Sequence, residues 1–303
     1  MATATAVARP RSSTRAAARR LRPARFLLHG FLIGVCALWL FPLVYAIYTS
    51  LRPFGDTSRN GYVSIATTLN LNNYITAWNA ARLPYYYLNT LIIVVPGVIL
   101  TLLVASLIAF AVTQFSWRFN LIVLMIFTAG NLLPPQVIIV PLYWVYLNIP
   151  LPDWASDNGL LYDQYIGIVL IHVVFQMGFA TFVLSNYMKT ITKEITESAL
   201  VDGANVLQIW WSVILPLCRP ALAAMATLLF TFIYNDFFWA LVLMKSGDKR
   251  PITSALNNLR GSYFTDLNML AAGCMLAAIP PIVTYILLQK HFVRGLTLGA
   301  TKG

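Results

Sequence analysis

Six long apolar stretches, separated by polar segments, constrain this chain more than any other feature. A helix needs about 20 apolar residues to cross the hydrocarbon of a bilayer. The stretches run from about Phe26 to Leu51, Tyr86 to Val112, Phe119 to Tyr146, Tyr165 to Tyr187, Pro220 to Met244 and Leu267 to Gln289. Apolar residues make up 59% of the chain and charged residues only 10%, against roughly 25% charged in a soluble domain. Such a chain cannot cover itself with a polar rind, and it is too apolar for disorder. The absence of a glycine period and the presence of only three cysteines exclude collagen-like and disulfide scaffolds. The expected fold is an all-α polytopic membrane protein with six transmembrane helices over residues 26–290. A basic tail (1–25) precedes them and a short tail (291–303) follows. Cys36, Cys218 and Cys274 read as small packing residues.

The net charge of +11 would suggest nucleic acid in a soluble protein, but its placement points elsewhere. The leader holds seven arginines and no acid. With the leader in the cytoplasm, that side carries 14 Lys and Arg and the outer side 7, the bias of the positive-inside rule. Both termini are therefore expected to be cytoplasmic, with anionic lipid and not nucleic acid as the partner of the basic charge. The first apolar run is too long for a cleavable signal peptide. A mitochondrial-type leader, also rich in arginine and poor in acids, stays open at this point. In the outer loops, Tyr74, Trp78 and Tyr85 to Tyr87 read as interface anchors. Asp153, Asp157 and Asp163 match no EF-hand spacing and read as a solvated loop. No internal repeat is visible.

One segment, about 187–218, is too polar to span and too patterned to be a plain loop. Ile191, Ile195 and Ala199 recur every four residues, which marks a helix face. Gly203 supplies a stop. A second short helix from about Val206 to Ile214 leads to Pro216. A helical hairpin on the cytoplasmic side follows, either lying on the lipid surface or serving as a docking element for a soluble partner.

Glu197, Ala199, Gly203, Leu215 and Pro216 resemble the EAA loop of permease subunits in binding-protein-dependent ABC importers. That pattern is Glu-Ala-Ala, three residues, Gly, nine residues, Ile, one residue, Leu-Pro. Ser198 and Val213 depart from it by small changes. The Asp202-Gly203-Ala204 triplet also fits. The tail Phe292 to Gly303 and the run Tyr234-Asn-Asp-Phe-Phe-Trp239 resemble the maltose-type carbohydrate permeases. The loop between Leu147 and Gln164 is longer than is usual there. The resemblance covers nearly the whole chain and implies a type I ABC importer permease fold. In that family the hairpin inserts into a cleft on the ATP-binding subunit. The small residues Ser198, Ala199, Gly203 and Ala204 then allow close approach, and Glu197 supplies a charge for a basic group. It further implies a second permease chain, two ATP-binding subunits carrying the ATP and magnesium, and an extracytoplasmic sugar-binding protein. This chain has no Gly-x-x-x-x-Gly-Lys-Ser/Thr run, so the ATPase is expected on another polypeptide, and no cofactor, metal or catalytic residue is expected here.

Polar residues within spans are costly, so each is a functional candidate. Asn235 and Asp236, in the outward half of the fifth stretch, either line a sugar path or make an interhelical contact. His172 and Gln176, four apart, share a face of the fourth. Asn131 and Gln136 flank Pro134-Pro135, whose missing donors bend a helix and either open a cavity or make a packing kink. Tyr143, Trp144, Phe237, Phe238 and Trp239 either stack on sugar faces or meet lipid. Two alternatives to an ATP-driven importer make different demands on the sequence. An ion-gradient transporter would show paired repeats. A membrane enzyme would need clustered chemistry, which His29, His172 and His291 do not supply.

Overall fold

The structure is a computed structural model. It describes residues 13–115, 118–130, 134–260 and 265–297, and the side chains within them except those of residues 13–24, 258 and 290–297. Among the described residues the elements are helices, with one isolated bridge joining Pro150 to Leu160. They begin with α1 (Ser13–Leu51), α2 (Phe54–Asn60), α3 (Asn72–Ala80), α4 (Leu83–Gln114), α5 (Asn120–Gly130), α6 (Pro135–Asn148) and α7 (Tyr165–Met188). Next come α8 (Lys193–Val201), α9 (Val206–Ile209), a π-helical turn (Trp210–Ile214) and α10 (Leu215–Leu217). The chain ends with α11 (Arg219–Tyr234), α12 (Phe238–Leu243), α13 (Ile252–Ala255), a 3-10 turn (Leu256–Leu259) and α14 (Leu267–Thr297).

Among the described residues, four helices are long and apolar enough to cross a membrane: the Arg25–Leu51 part of α1, α4, α7 and the Leu267–Gln289 part of α14. The number reaches six if two bent pairs each count as one span. One pair is α5 with α6, bent by 95°; the other is Val206–Leu217 with α11, bent by 79°. The third and fifth apolar stretches are thus not continuous helices. In the third, Pro134 is extended (ψ 127°) and Pro135 opens α6, where its fixed φ and missing donor cost nothing. In the fifth, α11 has 16 residues, about 24 Å of rise, and the chain breaks at Asn235–Phe237 before α12.

The α4–α7 pair has the most extensive contact, and α11 packs on α4 and α14. One core cluster, including Ile93, Ile168, Ile233 and Leu243, fills the half away from the α8–α10 hairpin. A second, including Ala105, Ala109, Leu184, Ile209 and Ile214, lies against it. Small residues let the backbones approach closely: a Cβ on Gly97 of α4 would sit 3.1 Å from the Ile233 side chain of α11.

Helix α14 contains Pro280 and Pro281. Each lacks the donor that would bond the carbonyl four residues earlier, which frees Leu276 O and Ala277 O. Those two carbonyls accept the hydroxyls of Tyr87 from α4 (2.6 Å) and Tyr234 from α11 (2.8 Å). In hydrocarbon a freed carbonyl must find such a partner. The tyrosines therefore fix α4 and α11 to α14 at the proline pair.

The end of α1 is satisfied in the same way. Asn268 of α14 donates to Thr49 O and Arg52 O, and Asn73 of α3 donates to Ser50 O and Arg52 O. Arg52 is fully buried. It donates twice to Asp56 Oδ2 (2.7 and 3.0 Å) and also to the carbonyls of Gly61, Tyr62 and Ser64. Asp56 Oδ1 accepts from Thr67 and Asn60. These hydrogen bonds, Thr67 first and Arg52 next, hold the Asp56 carboxyl at about 2 instead of 3.8. The 52–74 loop is folded around this pair.

Three expectations need correction. Tyr74, Tyr86 and Tyr87 do not stand free on the surface as the sequence led one to expect. The Tyr74 hydroxyl bonds Ser50, Tyr86 is buried and Tyr87 is held by α14, which leaves only Trp78 and Tyr85 exposed. The 147–164 loop is not simply solvated. Asp163 is buried and accepts from Lys245 N, Ser246 N and the Ser246 hydroxyl, while Asp157 pairs with Lys249. Of the cysteines, Cys218 packs in the core, whereas Cys36 and Cys274 face outward from the chain.

Candidate functional site

Two places gather the candidate residues: the α8–α10 hairpin and the break between α11 and α12.

In the hairpin, α8 covers Lys193–Val201, so Ile191 precedes the helix and only Ile195 and Ala199 lie on it. Gly203 has φ +83°, a conformation that glycine adopts without strain. Gly203 N donates to Leu200 O and Ala204 N to Ala199 O, both 3.0 Å, the bond pair of a Schellman stop. Gln208 N then donates to Asn205 Oδ1, and Asn205 N to Gln208 Oε1, each 2.9 Å. This capping box restarts the chain as α9. The Asn-x-x-Gln spacing carried that signal in the sequence. The turn is therefore specified on both sides, and the hairpin is stiff.

The hairpin is tied to the bundle through residues that the pattern did not single out. Thr196, buried on the inner side of α8, donates to Gln114 Oε1 at the end of α4 (2.8 Å). Ile209, Trp210 and Ile214 are buried beneath it. Leu215 and Pro216 are half-buried at the 79° elbow into α11. Ala199 and Ala204 pack on the core cluster. What remains outward is Glu197, Ser198, Asp202 and Gly203, among the exposed apolar Leu200, Val201, Val206, Leu207 and Trp211. Val201 is 88% exposed and Trp211 64%. An apolar patch of this kind around an acid marks an interaction surface.

Of the six path candidates, the structure brings together two. His172 of α7 is buried, and its Nε2 lies 3.6 Å from Asp236 Oδ2. Asp236 also accepts from Trp239 N and Ala240 N (3.3 Å each), capping α12. Asn235 is exposed beside it. Gln176 is half-buried one turn along α7, and Gln136 is exposed on the first turn of α6. Asn131 lies outside the described residues. Among the aromatics, Trp239 is buried against Phe175 (5.1 Å between ring centroids) and Tyr143 stands edge-on to Tyr162. Trp144 and Phe237 are exposed.

Long apolar helices with a broken, polar segment between them and a capped hairpin outside them are the architecture of a multi-pass membrane protein. The chain belongs to the binding-protein-dependent transport system inner membrane components, whose family model matches residues 97–298. It is 30% identical over 266 residues to a probable ABC transporter permease of Pyrococcus horikoshii, covering 87% of this chain and 92% of that one. It is 29% identical to the melibiose/raffinose/stachyose import permease MelC of Bacillus subtilis, covering 89% and 94%. With the arabinooligosaccharide permease AraQ of Halalkalibacterium halodurans it shares 30% identity, over 87% and 91%. In fold it is similar to a chain of a bacterial ABC transporter involved in the import of alginate, with a TM-score of 0.74 at 22% identity, covering 94% of this chain and all of that one.

Proposed function

We propose that this chain is one permease subunit of an ATP-driven, binding-protein-dependent importer of sugars, oligosaccharides above all. In this reading the α8–α10 hairpin is where an ATP-binding subunit docks. The hairpin geometry carries the reading. A force-bearing contact has to be stiff, and this one is closed by a Schellman stop and a capping box. It is rooted in α4 by Thr196 and in α11 by the elbow at Leu215-Pro216. Its outward surface offers Glu197 for a basic group and Leu200, Val201, Leu207 and Trp211 for a cleft. Closure of the ATP-binding pair would then move α4 and α11 as rigid bodies.

Sugar is the proposed cargo because MelC and AraQ, matched over nearly their whole lengths, are named for different sugars. Asn235, Gln136, Gln176 and the exposed rings Phe237 and Trp144 are the groups proposed for the path, since amides bond hydroxyls and rings stack on sugar faces. The remaining partners are a second permease chain, a second ATP-binding subunit, an extracytoplasmic sugar-binding protein and membrane lipid. ATP and magnesium belong to the partners. The proposed setting is a bacterial plasma membrane with six spans and both termini in the cytoplasm.

Uptake by cells expressing the full assembly tests this against a gradient-driven carrier. A panel of labelled α-glucosides, raffinose-type sugars and arabino-oligosaccharides would be offered. Uptake of at least one sugar should survive an ionophore and stop on ATP depletion. Uptake that collapses with the ionophore while ATP is held contradicts it.

A further inference from the structure

We infer that His172 is a positioning residue for the break between α11 and α12: its ring holds Asp236 turned inward, and this keeps Asn235 and Phe237 turned outward. A helix that stops and restarts leaves carbonyls and N–H groups without partners. Asp236 supplies most of what the break needs. Its N donates to Ile233 O (3.2 Å), its carboxylate accepts from Trp239 N and Ala240 N, and its own carbonyl accepts the Thr253 hydroxyl. All of those partners follow or precede it on the same stretch or in the adjoining α13.

His172 reaches the carboxylate from a different span. It is 3% exposed, and its Nε2 is a buried nitrogen with no hydrogen-bond partner among the described residues. The Asp236 side chain is 11% exposed and faces it at 3.6 Å. A buried nitrogen and a buried carboxylate each cost free energy when unpaired. A shift of about 0.6 Å closes them to a hydrogen bond. One turn along α7, Phe175 packs on Trp239 of α12, so α7 grips the restarting helix by a polar and an apolar contact. The neighbours of Asp236 point the other way: Asn235 is exposed and Phe237 is 43% exposed. Within this chain His172 is buried and the Asp236 side chain is mostly covered. Any use of Asn235 and Phe237 by a sugar rests on the proposed function, while the positioning claim does not.

A labelling cycle reads this without transport. In a background lacking Cys36, Cys218 and Cys274, Asn235→Cys is reacted with a membrane-impermeant methanethiosulfonate in the purified, detergent-solubilised protein. His172→Ala and Asp236→Ala should each slow labelling by about threefold or more. The double variant should be no slower than the Asp236→Ala single. His172→Gln, which keeps a donor, should restore most of the rate, and Val63→Cys in the 52–74 loop should label equally in all. If the alanine variants fail to fold, His172→Leu, Asp236→Asn and their combination are judged by the same non-additivity. Unchanged rates in the singles, or effects that multiply in the double, overturn the inference.

Discussion

Gly203 and Glu197 sit six residues apart in the hairpin and act on it differently. Nothing lies within 4 Å of a Cβ built on Gly203, so a side chain there meets no neighbour and pays only for a positive φ. That cost is about 1–2 kcal/mol for an ordinary residue and less for Asn. Gly203→Asn should therefore keep most ATP-coupled uptake while Gly203→Ala loses part of it. Glu197 is exposed, so Glu197→Lys should leave the hairpin folded and, if the proposed docking holds, should abolish coupling by reversing one charge. Normal uptake and normal ATPase stimulation in both Gly203→Asp and Glu197→Lys would defeat the docking role. A second residue-scale prediction concerns Asp56, held at about 2 against an ordinary 3.8. A lowered carboxyl stabilises the fold fully above the unfolded value, and that stability is lost as pH falls through the folded one. Protection of the 52–74 loop from acid-stable protease should fall between about pH 4 and pH 2 in the wild type. Asp56→Asn should be less protected at neutral pH and flat across that window. Glu197 and Gly203 were legible because their pattern is local. The Arg52–Asp56 pair was not legible, because both residues lie in a polar segment and nothing local signals their burial. Thr196 was silent, because its partner Gln114 lies 82 residues away.

At the scale of elements, apolar length located the helices and hid their breaks. Four long helices were readable because hydropathy and length decide them. The elbow between α5 and α6 was flagged by Pro134-Pro135. The stop at Tyr234 was not: Asn235, Asp236 and Phe237 contain no proline or glycine, and the break is held by Asp236 contacts from within the fold. The pairing of Pro280 and Pro281 with two tyrosines was equally invisible, since Tyr87 lies 189 residues from Leu276. It makes a sharp prediction. Tyr234→Phe should destabilise the purified protein by about 1 kcal/mol, read as a lower unfolding midpoint. In a Pro281→Ala background, where a backbone N–H returns to Ala277 O, the same change should be close to neutral. Equal loss in both backgrounds would mean that the tyrosine acts by packing alone.

At the scale of the whole molecule, charge asymmetry and one local motif together pointed to a membrane permease driven from outside its own chain. What they left open was which groups face each other. His172 and Asp236 were separate candidates in the sequence and form one pair in the fold. Sidedness gives a direct expectation. In a cysteine-free background in intact spheroplasts, Val63→Cys, 93% exposed, should react with an impermeant thiol reagent. Val201→Cys, 88% exposed at the hairpin tip, should react only after permeabilisation; the opposite result would invert the topology. The proposed function makes the hairpin the mechanical contact with an ATP-binding subunit. Co-purification of the tagged chain from its native membrane in mild detergent, with the companions identified by mass spectrometry, tests this contact. Wild type should bring down a second permease chain and an ATP-binding subunit. Glu197→Lys combined with Trp211→Ala should keep the permease and lose the ATP-binding subunit. An ATP-binding subunit retained at the wild-type ratio, or a wild-type chain that purifies alone and transports after reconstitution, would contradict it.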